Sequence, residues 1–247
     1  MQDGKLFYSP IGKNPQKIID VGTGTGIWAI EAADQYPGAE VVGIDISPHQ
    51  PTWIPPNLKF YVDDVEDEWV NGSGFDLVHF RSMALVLRDV HKAITQSFEN
   101  LKPGGWIEFQ ETYGMPQCDD ETMKDDDIIK RYYETCQLAM KSFGYDIDKP
   151  LHLQGYLEKV GFTNVQCIIK KLPLGTWPKD KTLRLVGHYT YLALIDSLPA
   201  LLAKPFANLG MSEEERQVWG AKVRQAAKET DVHRYYNYYF WFAQKPE

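Results

Sequence analysis

Apolar residues in this chain fall in short runs that end at acidic or glycine-rich breaks, spaced as alternating strands and helices would be. Ile18-Ile19-Asp20-Val21 is a strand-like run that enters Gly22-Thr23-Gly24-Thr25-Gly26, and Ile27 to Ala33 continues with good helix formers. Ala39 to Asp45 is a second apolar run closing on an acid, and Leu58 to Val65 a third, with Asp63 and Asp64 near its end. Phe75 to Phe80 predicts a fourth strand and Trp106 to Gln110 a fifth, with Leu101-Lys102-Pro103-Gly104-Gly105 before it as a helix stop and turn. Helices are predicted over 128–143 and 150–160, the second ended by Gly161, and Thr163 to Lys170 reads as a sixth strand. Arg234 to Ala243 is so dense in aromatic residues that a strand is the natural reading. Between these last two runs lie residues 172–232, with helical patterns at 182–197 and 212–229. A structureless loop of that length is rare in a compact domain, so a helical cap over a substrate pocket is expected.

Strand, glycine turn and helix together seat a nucleotide-like ligand at the carboxyl edge of a parallel sheet. Glycine permits a positive φ and a close approach of ligand to backbone, and the helix start offers unpaired N–H groups. No Gly-Lys-Ser/Thr follows the turn, which excludes a phosphate-binding P-loop. The dinucleotide fingerprint needs a third glycine where Ile27 stands, and the Asp20 carboxylate would repel a pyrophosphate. A carboxylate there suits an ammonium group, and S-adenosylmethionine carries one. Asp45 lies about where a ribose-binding acid is expected, and its two oxygens can accept from two vicinal hydroxyls. Asp63 and Asp64 are placed to accept from an adenine amino group; adjacent side chains point opposite ways, so one of the two reaches the ligand.

Asp20 to Gly26, Asp45, Asp64-Val65 and Leu101 to Gly105 resemble the motif series of class I S-adenosylmethionine-dependent methyltransferases. Thr23 to Ala29, Asp45 to Pro56, Asp63 to Glu66 and Gly105 to Glu111 are similar to a narrower group, the fungal LaeA-like methyltransferases of secondary metabolism. The likeness is strong over residues 3–115 and weak beyond. It implies an α/β, Rossmann-like fold with a mostly parallel seven-stranded sheet in the order 3-2-1-4-5-7-6, a single methyltransferase domain over 1–247 and a helical cap at 172–232 between strands 6 and 7. It also implies S-adenosylmethionine as cofactor and S-adenosylhomocysteine as product. Asp20, Gly22 and Gly24 would surround the methionine half, with Thr23 and Gly26 in the same turn. Asp45 would hold the ribose, Ile46 would pack on the adenine, Asp64 and Val65 would hold its edge, and Arg81 would make a cofactor or substrate contact. LaeA-like proteins carry a lid segment before Asp3-Gly4-Lys5-Leu6, which here opens the chain. With the N-terminus shortened in this way, weak cofactor binding and association as a homodimer or with a protein partner are expected.

Composition narrows the partners. A formal net charge of −8 argues against a nucleic-acid substrate, which needs a basic footprint. The acidic run from Cys118 to Asp127 reads as a solvated loop that supplies helix caps, and no metal is expected there. Cys118, Cys136 and Cys167 form neither a disulfide framework nor a metal pattern, and no stretch reads as a membrane span. Cytosol, or cytosol and nucleus, is the expected compartment.

Three functions fit these residues. The first is methylation of an oxygen on a small-molecule, secondary-metabolite acceptor. The second is a donor-binding regulatory subunit, with little turnover, in a protein complex controlling secondary metabolism. The third uses the sulfonium charge for a reaction other than methylation. If the acceptor needs a base, His188, among the aromatics of Leu185 to Tyr191, is a better candidate than His79, which lies in a strand.

Overall fold

Ile18, Ile19 and Val21 of β1 (Lys17–Val21), like Val41, Val42 and Ile44 of β2 (Glu40–Asp45), are buried whichever face they point to. Parallel strands covered on both faces demand such unbroken apolar runs. The computed structural model describes residues 4–247. The remaining elements are α1 (Ile27–Gln35), β3 (Leu58–Val62), β4 (Phe75–Arg81), α2 (Val90–Asn100), β5 (Leu101–Gln117), α3 (Ile128–Ser142), α4 (Lys149–Val160), β6 (Thr163–Pro173), α5 (Lys181–Leu202), α6 (Lys204–Asn208), α7 (Glu213–Ala226) and β7 (Tyr235–Gln244). The seven strands form one sheet in the expected order, β3-β2-β1-β4-β5-β7-β6. The pairs β1–β2, β2–β3, β1–β4 and β4–β5 are parallel. β7 runs the other way, because its last residues meet the first residues of both β5 and β6: Gly104 N donates to Lys245 O, and Thr163 Oγ1 donates to Gln244 O.

The chain divides into two compact units. The first holds the residues up to Glu111 with Lys149–Ile168 and Tyr239–Glu247; the second holds Thr112–Asp148 and Ile169–Tyr238. In the first unit Trp28, Ala29 and Ala32 of α1 pack on Ile18, Val41 and Leu77 of the sheet. In the second, Ile129, Tyr132, Leu194, Leu198, Phe206 and Val223 make a separate core from α3, α5, α6 and α7. Side chains cap α3, α5 and α7. Asp127 accepts from Ile129 N and Lys130 N at the start of α3, as the acidic run suggested, and Ser212 with Glu215 forms a capping box on α7.

Two local expectations need correction. Leu101 to Gly105, read as a stop and turn, belongs to β5: Leu101 pairs with Phe75, and the register shifts before Leu77 meets Trp106. Lys-Pro-Gly-Gly is thus a bulged strand start, and Gly104 (φ +73°) and Gly105 bond Lys245 beyond β7. The second concerns α5, which spans 22 residues and by length and composition is long and apolar enough to cross a membrane. Its buried positions Gly187, Leu194, Leu198 and Leu202 lie in the second unit.

Arg234 is the buried cation of the second unit. Its Nε lies 2.9 Å from Asp127 Oδ2, one terminal nitrogen lies 2.7 Å from Glu229, and the other donates to Ala226 O at 3.0 Å. Asp127 and Arg234 are both almost fully enclosed, so removing the guanidinium leaves a buried carboxylate without its counter-ion. Arg234→Ala is expected to destabilise the second unit by about 3–5 kcal/mol, read as an earlier urea transition in tryptophan fluorescence.

Candidate functional site

The turn after β1 is held from several sides. Gly22 N and Thr23 N both donate to Ile44 O at 2.9 Å, and Gly26 N donates to Thr23 O at 2.9 Å. Gly22, Gly24 and Gly26 take φ of +71°, +58° and +80°, all left-handed. Packing reinforces two of them: a Cβ on Gly22 would fall 2.1 Å from Met83 Sδ, and one on Gly26 2.4 Å from the Phe60 ring. At Gly24 a Cβ would meet nothing within 4 Å, so the turn has an open side there. Gly26 caps α1 without any side-chain hydrogen bond, which leaves the start of the helix to a ligand.

The segment after β2 clasps the turn at Gly24. Gly24 N donates to Asp45 Oδ2 at 2.8 Å, while Gln50 Nε2 donates to Gly24 O at 2.6 Å and to Ser47 O at 3.0 Å. Asp45 Oδ1 accepts from Ser47 N at 3.0 Å, so each carboxylate oxygen keeps one lone pair for a vicinal hydroxyl. Beside it Ile46 is 70% exposed, an open apolar side chain suited to a flat ring. After β3, Asp64 Oδ1 accepts from Glu66 N at 2.9 Å, Asp63 is bonded by Asn71, and Val65 is buried below them. Asp20 is only 2% exposed, and both its oxygens are engaged, by Thr23 Oγ1 at 2.6 Å and His79 Nδ1 at 2.7 Å. It lies under the turn instead of lining its open side.

Arg81 ends β4 and is exposed. The residues that follow are fixed by an acid the sequence did not single out: Met83 N and Ala84 N donate to Glu111 Oε1 at 2.9 and 3.0 Å. Burial pushes the Glu111 carboxyl up to about 7, against the opposing pull of those two N–H groups. Gln50 was equally unmarked. Both lie inside the stretches that carry the family likeness, yet only their partners, which come from distant positions in the chain, reveal what they do.

His188 lies in the second unit, in a recess of about 200 Å³ that it shares with Gly175, Tyr191 and Glu229. Its helix neighbours Tyr189 and Thr190 line a different recess of the same unit, about 350 Å³, with Tyr133, Leu172, Leu194 and Tyr236. Burial raises the Tyr133 hydroxyl to about 12 and pushes Tyr236 well above its usual range, so both stay protonated. Among the described residues there is no group of three or more His, Cys, Asp or Glu placed to hold a metal ion.

These features fit S-adenosylmethionine: an uncapped helix start for its carboxylate, an open glycine face, half-used Asp45 oxygens for the ribose and an exposed Ile46 for the base. Comparison with known proteins agrees. The family model described as methyltransferase domain matches residues 1–167. The chain belongs to that family. It is a methyltransferase of the class I fold, whose methyl donor is S-adenosylmethionine. It is 35% identical over 244 residues to the methyltransferase pytC of Aspergillus terreus, covering 98% of this chain and 75% of that protein. It is 33% identical to the secondary metabolism regulator LAE1 of Cochliobolus heterostrophus, covering 99% and 82% of the two chains. Among solved structures, the phosphoethanolamine N-methyltransferase 2 of Haemonchus contortus, in complex with S-adenosylmethionine, matches with a TM-score of 0.55 and 18% identity over 96% of this chain and 50% of that one. The YcgJ protein of Bacillus subtilis matches with a TM-score of 0.54 and 16% identity, covering 95% and 94%. Those two likenesses speak for the fold alone.

Glu111 gives the methyltransferase a distinctive pH response. Its folded-state carboxyl is raised from 4.5 to about 7, so the stability tied to its neutral form is complete below pH 4.5 and is lost as pH climbs through 7. The loss amounts to about 3 kcal/mol at most. Urea midpoints at pH 5 and pH 8 should differ more in the wild type than in Glu111→Gln, whose side chain carries no charge to bury.

Proposed function

We propose that this methyltransferase methylates an oxygen on an apolar, ring-bearing small molecule, a secondary-metabolite acceptor. The observation that carries this reading is the 350 Å³ recess of the second unit, where Tyr133, Tyr189, Tyr236 and two leucines surround a space that also meets the hydroxyls of Thr112, Thr190 and Ser197. Aromatic walls with a few hydroxyls suit a flat apolar ligand carrying phenol or enol oxygens. Tyr133, kept protonated, has a hydrogen to offer an acceptor oxygen. The bound donor supplies a methyl group already activated by a sulfonium. What remains for the protein is positioning, which can supply much of the acceleration. On the donor side Asp45 takes the ribose hydroxyls, Ile46 the adenine face, Asp64 and Val65 its edge, and the N–H groups at the start of α1 the carboxylate. His188, the base candidate of the sequence, lines the neighbouring 200 Å³ recess and not the space assigned here to the acceptor, so this reading gives it no part in the transfer.

The name of the Cochliobolus relative supports a second reading, a donor-binding regulator that works through protein partners. A homodimer or heteromeric assembly belongs with it. The two readings differ in where a transferred methyl group ends up.

Calorimetric titration should show micromolar binding of S-adenosylmethionine, weakened about tenfold or more in Asp45→Ala as hydrogen bonds to a charged group are lost. With isotope-labelled donor and a small-molecule extract, label is expected in the low-molecular-mass fraction. Label confined to protein, or donor binding with no transfer and a stable protein partner in a pull-down, would shift the balance to the regulatory reading.

A further inference from the structure

A row of polar side chains crosses the middle of the sheet under the glycine turn. In register across β2, β1, β4 and β5 stand Gly43, Asp20, His79 and Glu108. Register neighbours in a sheet present their side chains to the same face. The three polar members are nearly sealed from solvent, with Asp20 at 2% exposure and His79 and Glu108 at 0%. Central strands of a covered sheet normally hold apolar side chains at such positions, and a buried polar group is tolerated when its hydrogen bonds are made.

Glu108 accepts from Tyr8 N, Ser9 N and Ser9 Oγ, whereas the bonds of His79 and Asp20 lead toward the turn. An ionised carboxylate can only accept, so His79 Nδ1 carries the proton and donates it to Asp20 Oδ1 across 2.7 Å. Asp20 Oδ2 accepts from Thr23 Oγ1 at 2.6 Å. Thr23 sits between two left-handed glycines, with its N–H on Ile44 O and its carbonyl taking Gly26 N. Gly43 makes room for this hydroxyl, since a Cβ there would lie 3.0 Å from Thr23 Oγ1 and closer still to Phe60. The imidazole itself is fixed by Trp28, stacked on it at 3.7 Å and 3°, and Trp28 Nε1 in turn donates to Leu6 O at 3.1 Å. His79 Nε2 makes no hydrogen bond among the described residues. The polar contribution of His79 is therefore its single Nδ1–H bond to Asp20.

We propose that His79 is a positioning residue for donor binding: by orienting Asp20, and through it Thr23, it locks the glycine turn in the shape that accepts S-adenosylmethionine. On this account Asp20 serves the donor through the turn without touching it. The inference rests on the reading that the turn is the donor site.

Two pairs of variants separate the hydrogen bond from packing, each tested by calorimetric titration of S-adenosylmethionine into the full chain. His79→Phe keeps a ring for Trp28 but loses the donor, whereas the amide nitrogen of His79→Asn can stand near Nδ1 and keeps the donor without the ring. Thr23→Val loses the hydroxyl and Thr23→Ser retains it. Phe and Val should weaken binding about tenfold or more, the scale of a hydrogen bond to a charged group, while Asn and Ser stay near wild type. A packing role would give the opposite order for the His79 pair, with Asn the weaker binder. Equal affinities in all folded variants, or losses in Asn and Ser matching those in Phe and Val, would overturn the proposal. If either His79 variant fails to fold, the Thr23 pair decides. A wild-type chain that binds no donor would instead overturn the donor-site reading, and the proposal with it.

Discussion

Everything at the candidate donor site depends on holding three glycines in the left-handed region within five residues. L-residues avoid that backbone, so the turn keeps its shape only if surrounding bonds over-determine it. Ile44 O takes two of its N–H groups, Asp45 and Gln50 hold both backbone polar groups of Gly24, and Asp20 holds Thr23 from below. Met83 and Phe60 occupy the space that side chains at Gly22 and Gly26 would need. Only Gly24 keeps an open side.

The same logic explains why acids and amides recur at the carboxyl ends of the strands. Asp45 follows β2's apolar run, Glu111 closes the buried stretch of β5, and each accepts backbone N–H groups of the segments beyond the strand ends. These carboxylates do the work that regular secondary structure does elsewhere, because irregular backbone must still find partners when buried. Asp45 keeps lone pairs to offer, while Glu111 is enclosed and raised toward neutrality. Two acids of similar local setting thus have different roles, set by exposure.

The second unit solves a separate problem. Its helices bury an apolar core of their own and enclose Arg234 with Asp127 and Glu229, while aromatic side chains leave a recess lined with hydroxyls. Donor chemistry is common to a whole family, so a widely shared turn can serve it. Acceptor chemistry varies, and the proposed function assigns it to this recess, where shape and a few hydroxyls would discriminate between small molecules.

The sequence by itself determined the sheet order, the glycine turn and the placing of Asp45 and Asp64 at strand ends, because those depend on local periodicity, backbone sterics and a family pattern. It also indicated that the acidic run would supply a helix cap, a part that Asp127 takes. Tertiary structure alone decided that Leu101 to Gly105 is strand, since its hydrogen bonds come from Phe75's strand and from Lys245. It decided that Asp20 lies beneath the turn, joined to a histidine 59 positions away, and that Gln50 and Glu111 are structural partners of loops they do not adjoin. It set His188 in a different recess from its neighbour Tyr189. A hydrogen bond between distant residues has no period and leaves no spacing to read; it exists only once strand register has brought the two side chains to the same face.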